Sequence, residues 1–350
     1  MLAQKSVGLK AKIRPADLGK DKELLINMLF EHLTPSSDHA RFEWLYQRNP
    51  QGPARAWIAT DAATGEMIGT SAAFSRRAVV NGVEKTGWVL GDFCISDKYR
   101  SLGPALQLQR ATLQALKDGG KSDFCYDFPS REFSAVYQRL GMAPAAQAIR
   151  FTKLLRLDQK LQQLNWTKGL AKPASWLGNF VLQASDRWIG SSKGWAVAIH
   201  EGRCGDEFTL LCQNPPATNA LEIQRSAEFL NWRYLDHPSA CHQILTARKG
   251  GELQGYLVFS RNNGNAEIEE WWPRHNRALL AALIADLVGR LRECGTTVLT
   301  TFLLNTDPHQ QFLKGMGFLR RESSPFIACW PGGERGSAPE WHLMHGDRDI

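Results

Sequence analysis

The stretch "CISDKYRSLGPALQLQRATLQAL", Cys94–Leu116, decides how the chain is read. An extended apolar run, Thr86–Ile95, ends at its start, and a helical run over Ala105–Lys117 follows until Gly119-Gly120 stops it. Between them stands Arg100-Ser101-Leu102-Gly103-Pro104-Ala105. A helix N-terminus offers unpaired backbone N–H groups and a positive dipole end, which suit a diphosphate. Such a ligand must come close to the backbone, which favours Gly103 and the small Ala105, while Arg100 adds positive charge at the rim. Leu102, Leu106, Leu113 and Leu116 follow helical spacing and are expected to anchor the helix to a sheet. The plainer reading is a helix start with Pro104 at its first position.

Outward from this stretch the pattern is consistent. Lys10–Arg14 reads as a strand ended by Pro15, and Asp17 as the cap of a helix carrying Leu24, Leu25, Met28, Leu29 and Leu33. A short helix at Phe42–Tyr46 closes at "NPQGP". Strands follow over Ala56–Asp61, Met67–Val79 and Thr86–Ile95, the last two joined by "VNGV", a type I′ hairpin signal. Phe124–Phe128 is a compact strand, and Ser130 caps a helix through Val136, Tyr137 and Leu140 that ends at Gly141. The order is α/β, with an antiparallel meander leading into a parallel crossover. A first domain is expected over residues 1–157, then an amphipathic helical connector over 158–190 bearing Trp166, Trp176 and Trp188.

The remainder echoes the beginning. "FEWLYQRNP" (Phe42–Pro50) resembles "FLNWRYLDHP" (Phe229–Pro238), matching Trp44 with Trp232 and Tyr46 with Tyr234. "GEMIGTSAAFSR" (Gly65–Arg76) matches "GELQGYLVFSR" (Gly251–Arg261), and "VYQRLGM" (Val136–Met142) matches "FLKGMGF" (Phe312–Phe318). Three matches in one order imply an internal duplication, with a second domain over 191–332 and a tail over 333–350.

Composition bounds the function. The chain has 350 residues, 43% apolar and 22% charged, enough for two globular domains. Its net charge is +7, but the basic residues are scattered, so a nucleic-acid surface is not indicated. The best apolar run, Ala278–Val288, is too short to span a membrane and contains Asp286. The first residues carry no apolar signal core, so export is not expected. Seven cysteines, odd in number and without CxxC, argue against a disulfide framework or zinc site and for a reducing cytoplasm.

Arg-x-x-Gly-x-Ala after a strand, then Tyr137-x-x-x-Gly141 one strand and one helix later, together with "IRPAD" at Ile13–Asp17, resembles the GNAT family of acyl-CoA-dependent N-acyltransferases. The resemblance covers Lys10–Phe151 and, more faintly, Gly194–Trp330. It implies two tandem GNAT-like domains and acetyl-CoA or another acyl-CoA as co-substrate. Arg100, Ser101, Leu102, Gly103, Pro104 and Ala105 would hold the pyrophosphate, Pro104 departing from the pattern by lacking an N–H. Backbone groups of Phe93, Cys94 and Ile95 would pair with the pantetheine and polarise the thioester, and Tyr137 would protonate the departing thiolate. The second copy reads "EEWWPRHNRALLAAL" (Glu269–Leu283), with no glycine before its helix, so that domain is expected to be degenerate and to shape the acceptor site.

Amine acylation also needs a proton acceptor. Asp92 is the first candidate and Asp127 the second; each also reads as a carboxylate satisfied by strand-end amides. Cys94 reads as an inert strand cysteine. His342, His345, Asp347 and Asp349 read as a polar, irregular terminus in preference to a metal site. Glu269 and Glu270 either face the acceptor or lie on a solvated edge. The expected acceptor is a small-molecule or saccharide amine, an amino sugar or cell-surface polysaccharide precursor suiting the aromatic make-up. Two alternatives stand: a FemABX-like aminoacyl transferase, and a non-catalytic GNAT-like binding protein. Oligomeric state is left open.

Overall fold

The computed structural model describes residues 11–119, 122–156, 194–213, 219–329 and 340–348. The connector expected over 158–190 lies outside the described residues. The first half runs β1 (Ala11–Pro15), α1 (Lys22–His32), α2 (His39–Phe42) continuing into a π-helical turn (Glu43–Gln47), β2 (Arg55–Asp61), β3 (Met67–Val80), β4 (Val83–Ile95), α3 (Leu102–Asp118), β5 (Phe124–Asp127), α4 (Arg131–Arg139) and β6 (Ala146–Leu154). The second half repeats that plan. It has β7 (Ala196–Ile199), α5 (Asp206–Cys212), β8 (Ala220–Ile223), α6 (Ala227–Leu230) with its own π-helical turn (Asn231–Leu235), β9 (His242–Lys249) and β10 (Glu252–Asn262). Then come β11 (Asn265–Trp272), α7 (Arg277–Glu293), β12 (Val298–Leu304), α8 (Gln310–Gly315) and β13 (Leu319–Cys329). The short β14 (Glu340–Trp341) and a 3₁₀ turn (His345–Asp347) follow.

Local chemistry accounts for most boundaries. Asn81 and Gly82 have φ of 51° and 75°, as a type I′ turn between twisted strands requires. The Ser130 hydroxyl accepts from the Phe133 N–H and caps α4. Asp17 does not cap α1: its carboxylate takes the N–H groups of Gly19 and Lys20 in a turn before the helix. α1 buries Leu25, Ile26, Met28 and Leu29 and leaves Leu24 and Leu33 exposed. α3 begins at Leu102, so Pro104 is its third residue and not its first. Its buried stripe is Ala105, Leu108, Thr112 and Leu116; of the leucines expected there, Leu116 is buried, Leu106 and Leu113 are half-buried against the same cluster, and Leu102 is exposed.

The principal strand order is β1-β2-β3-β4-β5-β13-β6-β12-β11-β10-β9-β7. Within it β4 and β5 are parallel, as are β11 and β12, and each such pair joins only briefly. β4 meets β5 at Gly87–Val89, and β11 meets β12 at Asn265–Ile268. Beyond those residues the strands of each pair separate, and β4 and β11 each carry a bulge, at Asp92–Phe93 and at Glu269. The order also shows a reciprocal exchange. β13 lies between β5 and β6, and β6 between β13 and β12, so the last strand of each half completes the sheet of the other.

The exchange puts Cys329 of β13 opposite Cys125 of β5, with Cα atoms 5.3 Å apart, and a disulfide joins them. This corrects the expectation of no disulfide: the partners lie 204 residues apart, where no spacing motif could reveal them. Three apolar clusters hold the fold. α3 and α4 pack on the first sheet through Ala105, Leu108 and Tyr137, α7 on the second through Leu283, Ile284 and Leu287, and a large cluster fills the space between halves.

The pseudo-two-fold relation is sharpest at the two π-helical turns. Trp44 and Trp232 stack with ring centroids 5.2 Å apart. The Trp44 indole N–H donates to the Trp232 carbonyl at 2.7 Å, and the Trp232 N–H to the Trp44 carbonyl at 2.8 Å. Both indoles are buried, so each bond satisfies a donor that has no access to water. Trp44→Ala and Trp232→Ala are each expected to cost about 3–5 kcal/mol. Urea unfolding measures this, and the double variant should cost less than the sum of the two, because the pair fails as a unit.

Candidate functional site

The first mouth of the sheet is built by β4, β5 and α3. From Leu90 to Ile95 the edge of β4 facing β5 has no partner strand, which leaves backbone groups of Phe93, Cys94 and Ile95 on an open edge. The chain then turns through Asp97–Tyr99 into α3. Ser101, the residue before α3, makes no side-chain cap bond, so the first N–H groups of this helix are not consumed by their own cap. A Cβ placed on Gly103 meets no atom within 4 Å, so the backbone there faces open space. Arg100 stands at the rim, exposed and paired with Asp97 at 2.6 Å. An exposed pair of this kind exchanges readily for a stronger anion.

Two of the candidate catalytic residues meet beneath α3, where β5 runs on into α4. Tyr137 is fully buried on α4, and its hydroxyl donates to Asp127 at 2.5 Å while accepting from Gln109 of α3 at 2.9 Å. Asp92 is elsewhere. At the bulge it has φ of 45°, in the left-handed region, and its carboxylate accepts two bonds from Arg41 at 2.8 Å and one from the Tyr46 hydroxyl at 2.7 Å. Burial, together with Asp92, raises the Tyr46 phenol well above its ordinary value, so it serves as a fixed donor. Cys94 is buried beside them, and burial followed by the Asp92 charge pushes its thiol up to about 12, which keeps it inert.

The second mouth is filled. Asn276 caps α7, its side chain accepting the Leu279 N–H, so one of the amides that is free at α3 is used here. Trp271 and Trp272 are buried where α3 has its open approach. The C-terminal turn His345–Asp347 packs against β11 and β12 where they part. The expectation of an irregular polar terminus is corrected here. Asp347 is fully buried and paired with Arg225 at 2.7 Å, and Arg225 also holds Glu270 at 2.9 Å. Tyr234 and Tyr256 donate to Glu270 as well, and the Asp347 carbonyl accepts from Tyr126 of the first half. A buried charge needs this many partners, and here they clamp the terminus between the halves. His342 and His345 do not share a site: His342 faces Glu222 at 3.3 Å, whereas His345 faces Glu269 at 2.6 Å.

Between the halves lies a cavity of about 840 Å³. Arg41, Trp44 and Asp92 of the first half line it, opposite His242, Glu269 and His345 of the second. A smaller cavity of about 480 Å³ shares His345 and Glu267 with it and reaches Arg131 at the start of α4. Burial alone would raise the Glu269 carboxyl, but bonds from His345 and Ser260 and the neighbouring His242 outweigh it and hold it at about 2. Burial raises Glu267, which has no comparable donor. His237 is pushed down to about 4 by burial and then by Arg233, so it stays neutral. Sequence reasoning singled out Glu269 and His345 separately. Nothing in their spacing signals that they meet, and nothing signalled Arg41 or Tyr46.

No family model matches the chain, and no curated protein matches it in sequence. Solved structures do match in fold. A probable N-acyltransferase from Enterococcus faecalis V583 is 14% identical with a TM-score of 0.64, covering 92% of this chain and 73% of that one. A GCN5-related N-acetyltransferase from Anabaena variabilis gives the same figures. A tandem GNAT protein from the clavulanic acid biosynthesis pathway is 11% identical with a TM-score of 0.57, covering 93% of this chain and all of the other. Among the described residues no helix is long and apolar enough to cross a membrane. The repeated strand-helix order, a parting parallel pair in each half and these likenesses agree: the chain has the GNAT superfamily fold, present twice in tandem.

Proposed function

We propose that the protein is an acyl-CoA-dependent N-acyltransferase whose first half binds the acyl-CoA and whose central cavity receives an amine. The observation that carries this reading is the contrast between the helix starts: α3 is uncapped beside an open glycine, whereas α7 is capped by Asn276 and walled by tryptophan. In this reading the N–H groups of Leu102, Gly103 and Ala105, with Arg100 and Ser101 at the rim, take the diphosphate, and Pro104 supplies shape but no donor. The open edge at Phe93, Cys94 and Ile95 pairs with the pantetheine, and its N–H groups stabilise the oxyanion formed as the amine attacks the thioester carbonyl. The C–N bond forms, the C–S bond breaks, and Tyr137 gives the hydroxyl proton it otherwise shares with Asp127 to the thiolate, then takes up a proton from solvent.

Asp92 acts in this scheme by position. Ion-paired to Arg41, it fixes the bulge that aims the β4 edge. The acceptor is an amine-bearing small molecule or saccharide, for which Trp44 supplies an apolar wall and Glu267 and Glu269 an acidic one. Acetyl-CoA is the simplest donor to try.

Two outcomes follow. Gly103→Leu puts a side chain into open space, so the protein should stay folded, while acetyl-CoA affinity by calorimetry falls at least tenfold. Unchanged affinity would remove the proposed diphosphate site. Tyr137→Phe should leave acetyl-CoA affinity unchanged and lower kcat for amine-dependent CoA release roughly 10²–10⁴-fold. Equal turnover by the two proteins would dismiss Tyr137 as the acid.

A further inference from the structure

We infer that His345, carried into the central cavity by the C-terminal turn, takes the proton from the acceptor amine, with Glu269 as its positioning residue. The inference rests on the transferase reading above and names a base that the first half does not supply. His345 Nδ1 lies 2.6 Å from Glu269 Oε2, and the other Glu269 oxygen takes the Ser260 hydroxyl at 2.8 Å. An ionised Glu269 fixes the proton on Nδ1 and leaves the lone pair on Nε2. Among the described residues that nitrogen makes no hydrogen bond, and the Glu267 carboxylate is 3.7 Å away.

Place and competition favour the same residue. His345 lines both cavities, one with Asp92 and Arg41 of the first half, the other with Arg131, four residues beyond Asp127. Asp92 already has both carboxylate oxygens occupied, by the Arg41 guanidinium and the Tyr46 phenol. Asp127 is occupied by Tyr137. His242 turns its Nδ1 to the Tyr234 carbonyl in the same way, but it lines only the larger cavity and does not reach the one that extends to Arg131. The charged or titratable groups around His345 are Glu267 and Glu269 on β11, His242 on β9, Arg150 on β6, Arg233 and its neighbour Arg348. In the step itself the amine N–H proton passes to Nε2 as the C–N bond forms, and the thiolate is protonated separately by Tyr137. His345 then releases its proton to solvent, and Tyr137 takes one up, so that both return to their starting states.

The test uses the full chain with acetyl-CoA and two probe amines, glucosamine and spermidine. His345→Gln should bind acetyl-CoA as the wild type does, lose roughly 10²–10⁴-fold in kcat, and lose the acid limb of the kcat/KM profile. Added imidazole should restore part of the rate to His345→Ala. Glu269→Gln should lower kcat by a smaller factor, and Glu269→Asp, which keeps an acceptor for Nδ1, should restore part of it. Turnover by His345→Gln within threefold of wild type, with the limb unchanged, overturns the inference alone. A wild type that binds no acetyl-CoA overturns the transferase reading and the inference with it. If both histidine variants fail to fold, ¹⁵N NMR of the wild type decides: an Nε2-protonated imidazole refutes the assignment.

Discussion

The reciprocal bond between Trp44 and Trp232 is the constraint on which the rest of the molecule depends. Two indoles donate to each other's backbone carbonyls across the pseudo-dyad, and neither bond can form unless both π-helical turns approach in one orientation. That orientation brings the concave sides of the halves together. It aims Arg233 over the Trp44 ring and Arg76 toward the Trp232 ring, so buried cations sit on aromatic faces where water cannot compete. The cavity between the halves is the space this arrangement leaves.

Once the halves are fixed, symmetry is kept in the scaffold and broken in the chemistry. β4 and β11 both bulge just past the point of separation, and both bulges carry a carboxylate, Asp92 in one half and Glu269 in the other. The partners differ. Asp92 is held by an arginine and a tyrosine and is chemically spent. Glu269 is held by a serine and a histidine, and the histidine keeps one nitrogen open. The neighbouring Glu270 is spent like Asp92, on Arg225, Tyr234 and Tyr256. Duplicating a fold thus gives two similar positions, and the residues packed against each decide which remains available to a ligand.

The sequence made the local features legible. The Asn81-Gly82 hairpin, the Ser130 cap and the Trp44/Trp232 repeat were readable because each is written within a few residues of itself. The strand run ending at Ile95 and the helix after it were readable as a pair, which gave the fold. The helix stripe was legible in part: Leu106, Leu113 and Leu116 do pack on the first sheet's cluster, whereas Leu102 is exposed and Ala105 and Thr112, small enough to come close, were passed over. What could not be read is long-range. Arg41 meets Asp92 across 51 residues, His345 meets Glu269 across 76, and Cys125 meets Cys329 across 204. No periodicity spans such distances, and a terminus rich in histidine and aspartate reads as solvated until Arg225 is seen to neutralise Asp347.

The exchanged last strands bear on how the chain comes to be folded at all. During synthesis β5 emerges long before β13, the strand that must lie beside it, so the growing chain carries a bare sheet edge while the residues between Cys125 and Cys329, 204 positions apart, are made. The first half cannot close early and wait. Closure demands contacts between residues far apart along the chain, a slow kind of search. An edge left open for so long invites pairing with another copy, so newly made protein, unlike the finished fold, is the form most exposed to aggregation.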